Sequence, residues 1–166
     1  MVTVIGIDLA ASMHNDSGIA VINNGKIVET RIVKTEKEIL NFILKYKPKL
    51  VAIDAPLSWP SDTKDRYRQA EKILLVMGIR TFPLRGFKAM ELLVKRAIRL
   101  AKTLKENNFA VIETFPSPLR AHFNTITKNP HVRDAIICAN VANLYLRGQT
   151  IAYGDKKEGQ IILPLR

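Results

Sequence analysis

Residues 2–9, Val-Thr-Val-Ile-Gly-Ile-Asp-Leu, form a nearly continuous apolar run, and this run constrains the fold more than any other feature. Such a run reads as a central strand covered on both faces of a sheet. Gly18–Ile22 reads as a second strand, and Asn23-Asn-Gly25 as a hairpin turn, since Asn and Gly accept positive φ cheaply. Lys26–Lys34 supplies a third strand. Thr35-Glu-Lys-Glu38 is a capping-box pattern opening a helix whose apolar face is Ile39, Phe42, Ile43 and Tyr46, with Pro48 as its stop. Leu50–Asp54 is a fourth, buried-type strand, and the helical crossover before it makes it parallel to an earlier one.

Residues 56–65 are loop-like, with two prolines. Helices are expected from Arg66 to Met77, stopped by Gly78, and from Phe87 to Glu106. In the longer one Met90, Val94, Ala97, Ile98, Ala101 and Leu104 line the core face, and Lys95, Arg99 and Lys102 share a solvent face. Phe109–Phe115 reads as a fifth strand, and Asn129-Pro130 as the start of a last helix closed by Gly148. The tail, 150–153 and 160–163, has the pattern of a short hairpin. Early β–β connections followed by helical crossovers predict an α/β fold with a mixed sheet flanked by helices. At 166 residues with no linker or repeat, one domain over 1–166 is expected.

Net charge is +11, which favours polyanions and nucleic acid above all, against general surface basicity as the plain alternative. No apolar run approaches the roughly 20 residues that cross a bilayer, so no membrane partner is expected. The first residues lack the pattern of a secretory leader, and a cytoplasmic location is the default expectation. Cys138 is the sole cysteine, which precludes an internal disulfide or a cysteine zinc cage; it reads as a small buried apolar residue.

Three aspartates stand where packing alone explains them poorly. Asp8 lies among Ile5, Ile7 and Leu9; Asp54 ends the strand Val51-Ala-Ile53; Asp134 precedes Ala135, Cys138, Ala139 and Ala142. An ionised carboxylate in such surroundings costs several kcal/mol unless it is paired or binds a cation. Hard oxygen ligands suit Mg²⁺ or Mn²⁺. Taken singly, Asp8 could cap a turn, Asp54 could form an Asx-turn before Ala-Pro, and Asp134 could be favourable first-turn charge. Glu113, which interrupts Ala110-Val-Ile112, is a fourth candidate ligand, exposure on an edge strand being the alternative. His131 shares a helix face with Asp134 at i,i+3 and could orient water or phosphate, or be an ordinary helix-start histidine.

Gly6-Ile-Asp8-Leu-Ala, Gly18-Ile-Ala-Val21 and Val51-Ala-Ile-Asp54-Ala-Pro together resemble the strand pattern of ribonuclease-H-like nucleases and resolvases. Glu113-Thr-Phe-Pro-Ser117 and His131-Val-Arg-Asp134-Ala135 bring the chain closer to the predicted-nuclease family known as domain-of-unknown-function family 429. Arg68 and Glu71, ahead of Gly78-Ile79 and Phe82-Pro83, also fit its middle segment. The resemblance spans about residues 3–164 and implies a five-stranded sheet of order 3-2-1-4-5 with the acids at its centre. It implies a hydrolase that cuts phosphodiester bonds of DNA or RNA, with Asp8 bridging two Mg²⁺ or Mn²⁺ ions and Asp54 and Asp134 each completing one. Glu113 would ligate or position water, and because some related resolvases take an acid from the fifth strand instead, the choice between Asp54 and Glu113 as second main ligand stays open. Related resolvases act as dimers, so the resemblance also allows a homodimer. Two other readings compete. A non-catalytic nucleic-acid-binding protein would use the same charge, and an actin-like ATPase or phosphotransferase begins with a similar strand. That last fold needs two lobes and a second Gly-rich phosphate loop, neither of which this chain supplies.

Overall fold

The computed structural model describes residues 1–165. Its elements are β1 (Thr3–Asp8), β2 (Ser17–Asn23), β3 (Lys26–Val33), α1 (Glu36–Tyr46), β4 (Leu50–Asp54), α2 (Gln69–Val76), α3 (Lys88–Glu106), β5 (Val111–Thr114), α4 (Pro130–Leu146), β6 (Thr150–Tyr153) and β7 (Ile161–Pro164). They build one mixed sheet of order β3-β2-β1-β4-β5-β7-β6. The expected order 3-2-1-4-5 is therefore present, but the sheet has seven strands rather than five. The tail hairpin does not stand alone: β7 pairs parallel with β5, and β6 closes that edge antiparallel.

The pleat sorts each strand's side chains between two layers. Ile5, Ile7, Ile19, Val21, Val51 and Ile53 face one side and pack with Ile39, Phe42 and Ile43 of α1 and Ala97, Leu100 and Leu104 of α3. Val4, Ala20, Ile22, Leu50 and Ala52 face the other and pack beneath Ala135, Cys138, Ala139 and Ala142 of α4. A smaller cluster joins Ala70 and Leu74 of α2 to Ile161 and Leu163 of β7.

Two glycines let α4 lie against the sheet. A Cβ on Gly6 would sit 2.1 Å from the Ala135 carbonyl oxygen and 2.2 Å from the Ala139 nitrogen; one on Gly18 would sit 2.1 Å from the His131 carbonyl oxygen. No side chain fits in that space, so strand and helix backbones touch directly.

Local chemistry sets the helix ends. Thr35 and Glu38 form the reciprocal capping box that opens α1. The Asn129 side chain accepts from the backbone N–H groups of His131 and Val132 and starts α4. The expectation that the second helix begins at Arg66 is corrected: α2 begins at Gln69, because Arg68 remains extended and its N–H donates to the Glu71 carboxylate at 3.0 Å.

Candidate metal centre and adjoining cavity

Asp8 and Asp54 are the last residues of β1 and β4, and the parallel register sets them directly opposite each other. Both share the parity of Val4, Gly6 and Ala52, so both project toward α4 rather than toward α1 and α3. There α4 presents Asp134, one turn past its capped start. One carboxylate oxygen from each aspartate lies within 4.8 Å of the other two.

The surroundings of the three acids differ. The Asp8 carboxylate meets His131 Nδ1 at 2.9 Å. Burial raises the Asp8 carboxyl above its ordinary range, while the His131 hydrogen bond pulls the other way. Asp54 accepts no hydrogen bond among the described residues, and burial, followed by the charges of Asp8 and Asp134, pushes its carboxyl well up. Asp134 is held by Arg120, with Nε at 3.1 Å from one oxygen and Nη2 at 2.5 Å from the other. Arg133 Nε adds a third contact at 3.0 Å.

A divalent cation fits this donor set. All three ligands are hard oxygens, and an Asp54 carboxylate without a donor is the group whose desolvation a bound cation would offset. Asp8, Asp54, His131 and Asp134, expected from sequence as site residues, thus line one crevice together with Arg120.

Glu113 is placed differently. It ends up beside the trio but outside it, buried and engaged by Arg68 through Nη1 at 2.8 Å and Nη2 at 2.5 Å, and by the Leu57 N–H at 2.9 Å. Arg68, itself fully buried, also binds Glu71 and donates to the Ser58 hydroxyl at 2.9 Å. Glu113 is therefore not on an exposed edge, since β7 covers β5. Its carboxylate belongs to a buried Glu71–Arg68–Glu113 network.

Sequence reasoning did not single out Arg120. It follows the short 3₁₀ turn Ser117–Leu119 in a stretch without helical or strand periodicity, and its side chain is 45% exposed. Its one signal was a cation closely following a strand that ends near the expected acids. Arg96 also went unnoticed. It is buried on α3, donates to the carbonyls of Ala10 at 2.7 Å and Lys34 at 2.5 Å, and pairs with Glu36 at 2.8 Å, which pins the loop after β1.

A cavity of about 460 Å³ adjoins the trio, sharing Asp8, Asp54 and Arg120 with the crevice and walled by Phe82, Met90, Leu93 and Phe115. The Thr81 hydroxyl beside it is buried and has no hydrogen-bond partner among the described residues.

Comparison with known proteins gives this geometry a context. No curated protein matches the chain. Among solved structures the chain is similar to T. thermophilus RuvC in complex with Holliday junction substrate, with a TM-score of 0.58, 14% identity, and coverage of 98% of this chain and 100% of that one. At that identity the likeness shows the fold, a ribonuclease-H-like sheet with helices on its faces. Residues 6–124 match the family described as "Protein of unknown function (DUF429)". That match takes in the end of β1 with Asp8, all of β4 and β5, and Arg120, and it establishes that the chain belongs to the DUF429 family.

Proposed function

We propose that this protein is a metal-dependent nuclease that hydrolyses phosphodiester bonds of DNA or RNA. The observation that carries this reading is the convergence of three carboxylates, within 4.8 Å, from two adjacent strand ends and one helix. Asp8, Asp54 and Asp134 would hold Mg²⁺ or Mn²⁺, and the bound ions would supply Lewis acidity and an activated water. His131 orients the Asp8 carboxylate through the 2.9 Å contact at Nδ1. Arg120, half exposed at the rim, is the side chain best placed to receive a backbone phosphate from solvent.

Two further observations support a nucleic-acid substrate. The net charge of +11 favours polyanions. The solved structure of similar fold was in complex with Holliday junction substrate. The buried pairing of Glu113 with Arg68 favours Asp54 over Glu113 as the second main ligand.

The test is Mn²⁺-dependent cleavage of labelled single-stranded, duplex and branched oligonucleotides by the wild-type chain and Asp8→Asn. Cleavage is expected to vanish in the variant while circular dichroism and thermal unfolding show an intact fold. Equal cleavage by both, or Mn²⁺ affinity unchanged by the substitution, would remove the mechanism.

A further inference from the structure

The cavity beside the trio has no role in the hydrolytic reading. Its volume of about 460 Å³ is within the roughly 300–1,000 Å³ of small-molecule sites. Phe82, Met90, Leu93 and Phe115 give it apolar walls. Phe82 is 57% exposed, so one face of its ring is open for a flat group to stack on.

The polar groups decide which part of a ligand enters. Glu71 and Glu113 line the cavity and share the single guanidinium of Arg68, so the network carries an excess of negative charge. A phosphate would be repelled from it. A neutral ring bearing N–H groups would not, because carboxylate oxygens accept from such donors. The Thr81 hydroxyl, without a partner among the described residues, can either donate or accept. Because Asp8 and Asp54 border both spaces, a ligand with its ring in the cavity has its phosphate next to the acids.

We propose that the cavity receives one unpaired nucleobase, whose own phosphate lies at Asp8, Asp54 and Asp134. The proposal rests on the hydrolytic reading above and narrows its substrate to a nucleotide without a pairing partner. Such a nucleotide is either free or part of a strand that is single or locally opened. A base inside a duplex must first be unpaired and unstacked, which disfavours fully paired substrates.

The test compares base-bearing with baseless ligands on the full chain in Mn²⁺. One arm titrates adenosine and cytidine 5′-monophosphate against ribose 5-phosphate by calorimetry. The other compares a single-stranded oligonucleotide with an abasic tetrahydrofuran oligomer of the same length by anisotropy competition. The base is expected to tighten binding at least tenfold in one arm or both, stacking on an aromatic being worth about 1–3 kcal/mol per base. The arm that responds identifies the source as free nucleotide or strand. Phe82→Ala, at an exposed position, and Met90→Trp, which fills the cavity, are expected to shrink the gap to below about threefold without moving Mn²⁺ affinity. Equal binding with and without a base in both wild-type arms would overturn the proposal. Calorimetry of Mn²⁺ alone reports separately on the trio, so failure of the cavity and failure of the metal reading give different results.

Discussion

Asp134 stands between two demands. Arg120 engages both of its oxygens, whereas a metal ligand needs at least one of them. The guanidinium is half exposed and anchored on an irregular segment, so it can be displaced without disturbing the core. We expect Arg120→Ala to tighten Mn²⁺ binding about fivefold, the equivalent of roughly 1 kcal/mol for a half-exposed pair, and to weaken cleavage through the lost phosphate contact. Calorimetry and a cleavage assay on the same variant check both signs; weaker Mn²⁺ binding would make Arg120 a structural support of Asp134 instead. Asp54 poses the opposite problem, having no hydrogen-bond donor among the described residues. Its carboxyl is pushed well above the ordinary value of 3.8 by burial and by Asp8 and Asp134. The folded chain therefore holds this proton more tightly than the unfolded chain. The stability it contributes is complete below the unfolded value and is lost as pH rises through the folded one. Asp54→Asn cannot ionise and is expected to resist that loss. In the metal-free chain it should raise Tm by about 2–4 °C near pH 8, as roughly 1 kcal/mol does at this size, and the difference should vanish on acidification toward pH ~4. Added Mn²⁺ should stabilise wild type and do little for the variant.

The trio is assembled by elements more than by any single side chain. Register places Asp8 beside Asp54, and the contact of α4 with β1 and β2 delivers Asp134 and His131. Gly18 is the more informative of the two contact glycines, because a Cβ there would meet the His131 carbonyl, next to the site, at 2.1 Å. Neither backbone can give way cheaply, so Gly18→Ala is expected to cost about 3 kcal/mol, the upper end for overpacking. What unfolding does not lose should show α4 displaced from the strands, with Mn²⁺ affinity falling more than for a surface Ala substitution of equal ΔG. Urea denaturation paired with calorimetry checks this; full Mn²⁺ affinity in a destabilised Gly18→Ala would show that the helix contact does not position Asp134. This level also shows how far the fold could be read in the chain. The apolar runs at 2–9 and 50–54, the Asn-Asn-Gly turn and the Thr35–Glu38 box each carry a local physical cause and predict a mixed sheet with helices on its faces, whereas strand order 3-2-1-4-5 came only from the family resemblance. The addition of β7 and β6 to the β5 edge did not, because pairing between Glu113 and Ile161 is set by tertiary contact across a long stretch of chain. The start of α2 was misplaced for a similar reason. Arg68 leaves the helix to reach Glu113, a partner that no local pattern names. Asp8 and Asp54 could be recognised because each breaks an apolar strand. Glu113 breaks its strand in the same way, yet it is paired with a buried arginine that it shares with Glu71.

For the molecule as a whole, the acidic trio and the charge of +11 oppose each other in their pull on a nucleic-acid backbone. Phosphates need cations along their path, and the trio repels them until metal is bound, so association and metal binding should be coupled. The exposed stripe Lys95, Arg99 and Lys102 lies on α3, the helix whose first half supplies Met90 and Leu93 to the cavity. A strand with one nucleotide in that cavity is expected to round α3 to reach the stripe. If it does, the affinity for a single-stranded oligonucleotide should fall linearly in log–log form with salt, and each lost phosphate contact should lower the slope by about 1. The double variant Lys95→Ala, Arg99→Ala should then reduce the slope by about 2 in Mn²⁺ while leaving mononucleotide binding unchanged. Asp8→Asn should differ in the other direction: it removes a negative charge next to the incoming phosphate and should bind the oligonucleotide in EDTA at least as tightly as wild type does. An unchanged slope in the double variant would make the stripe ordinary solvated surface and place the strand's path elsewhere, with Arg120 as the remaining cation at the crevice from which to trace it.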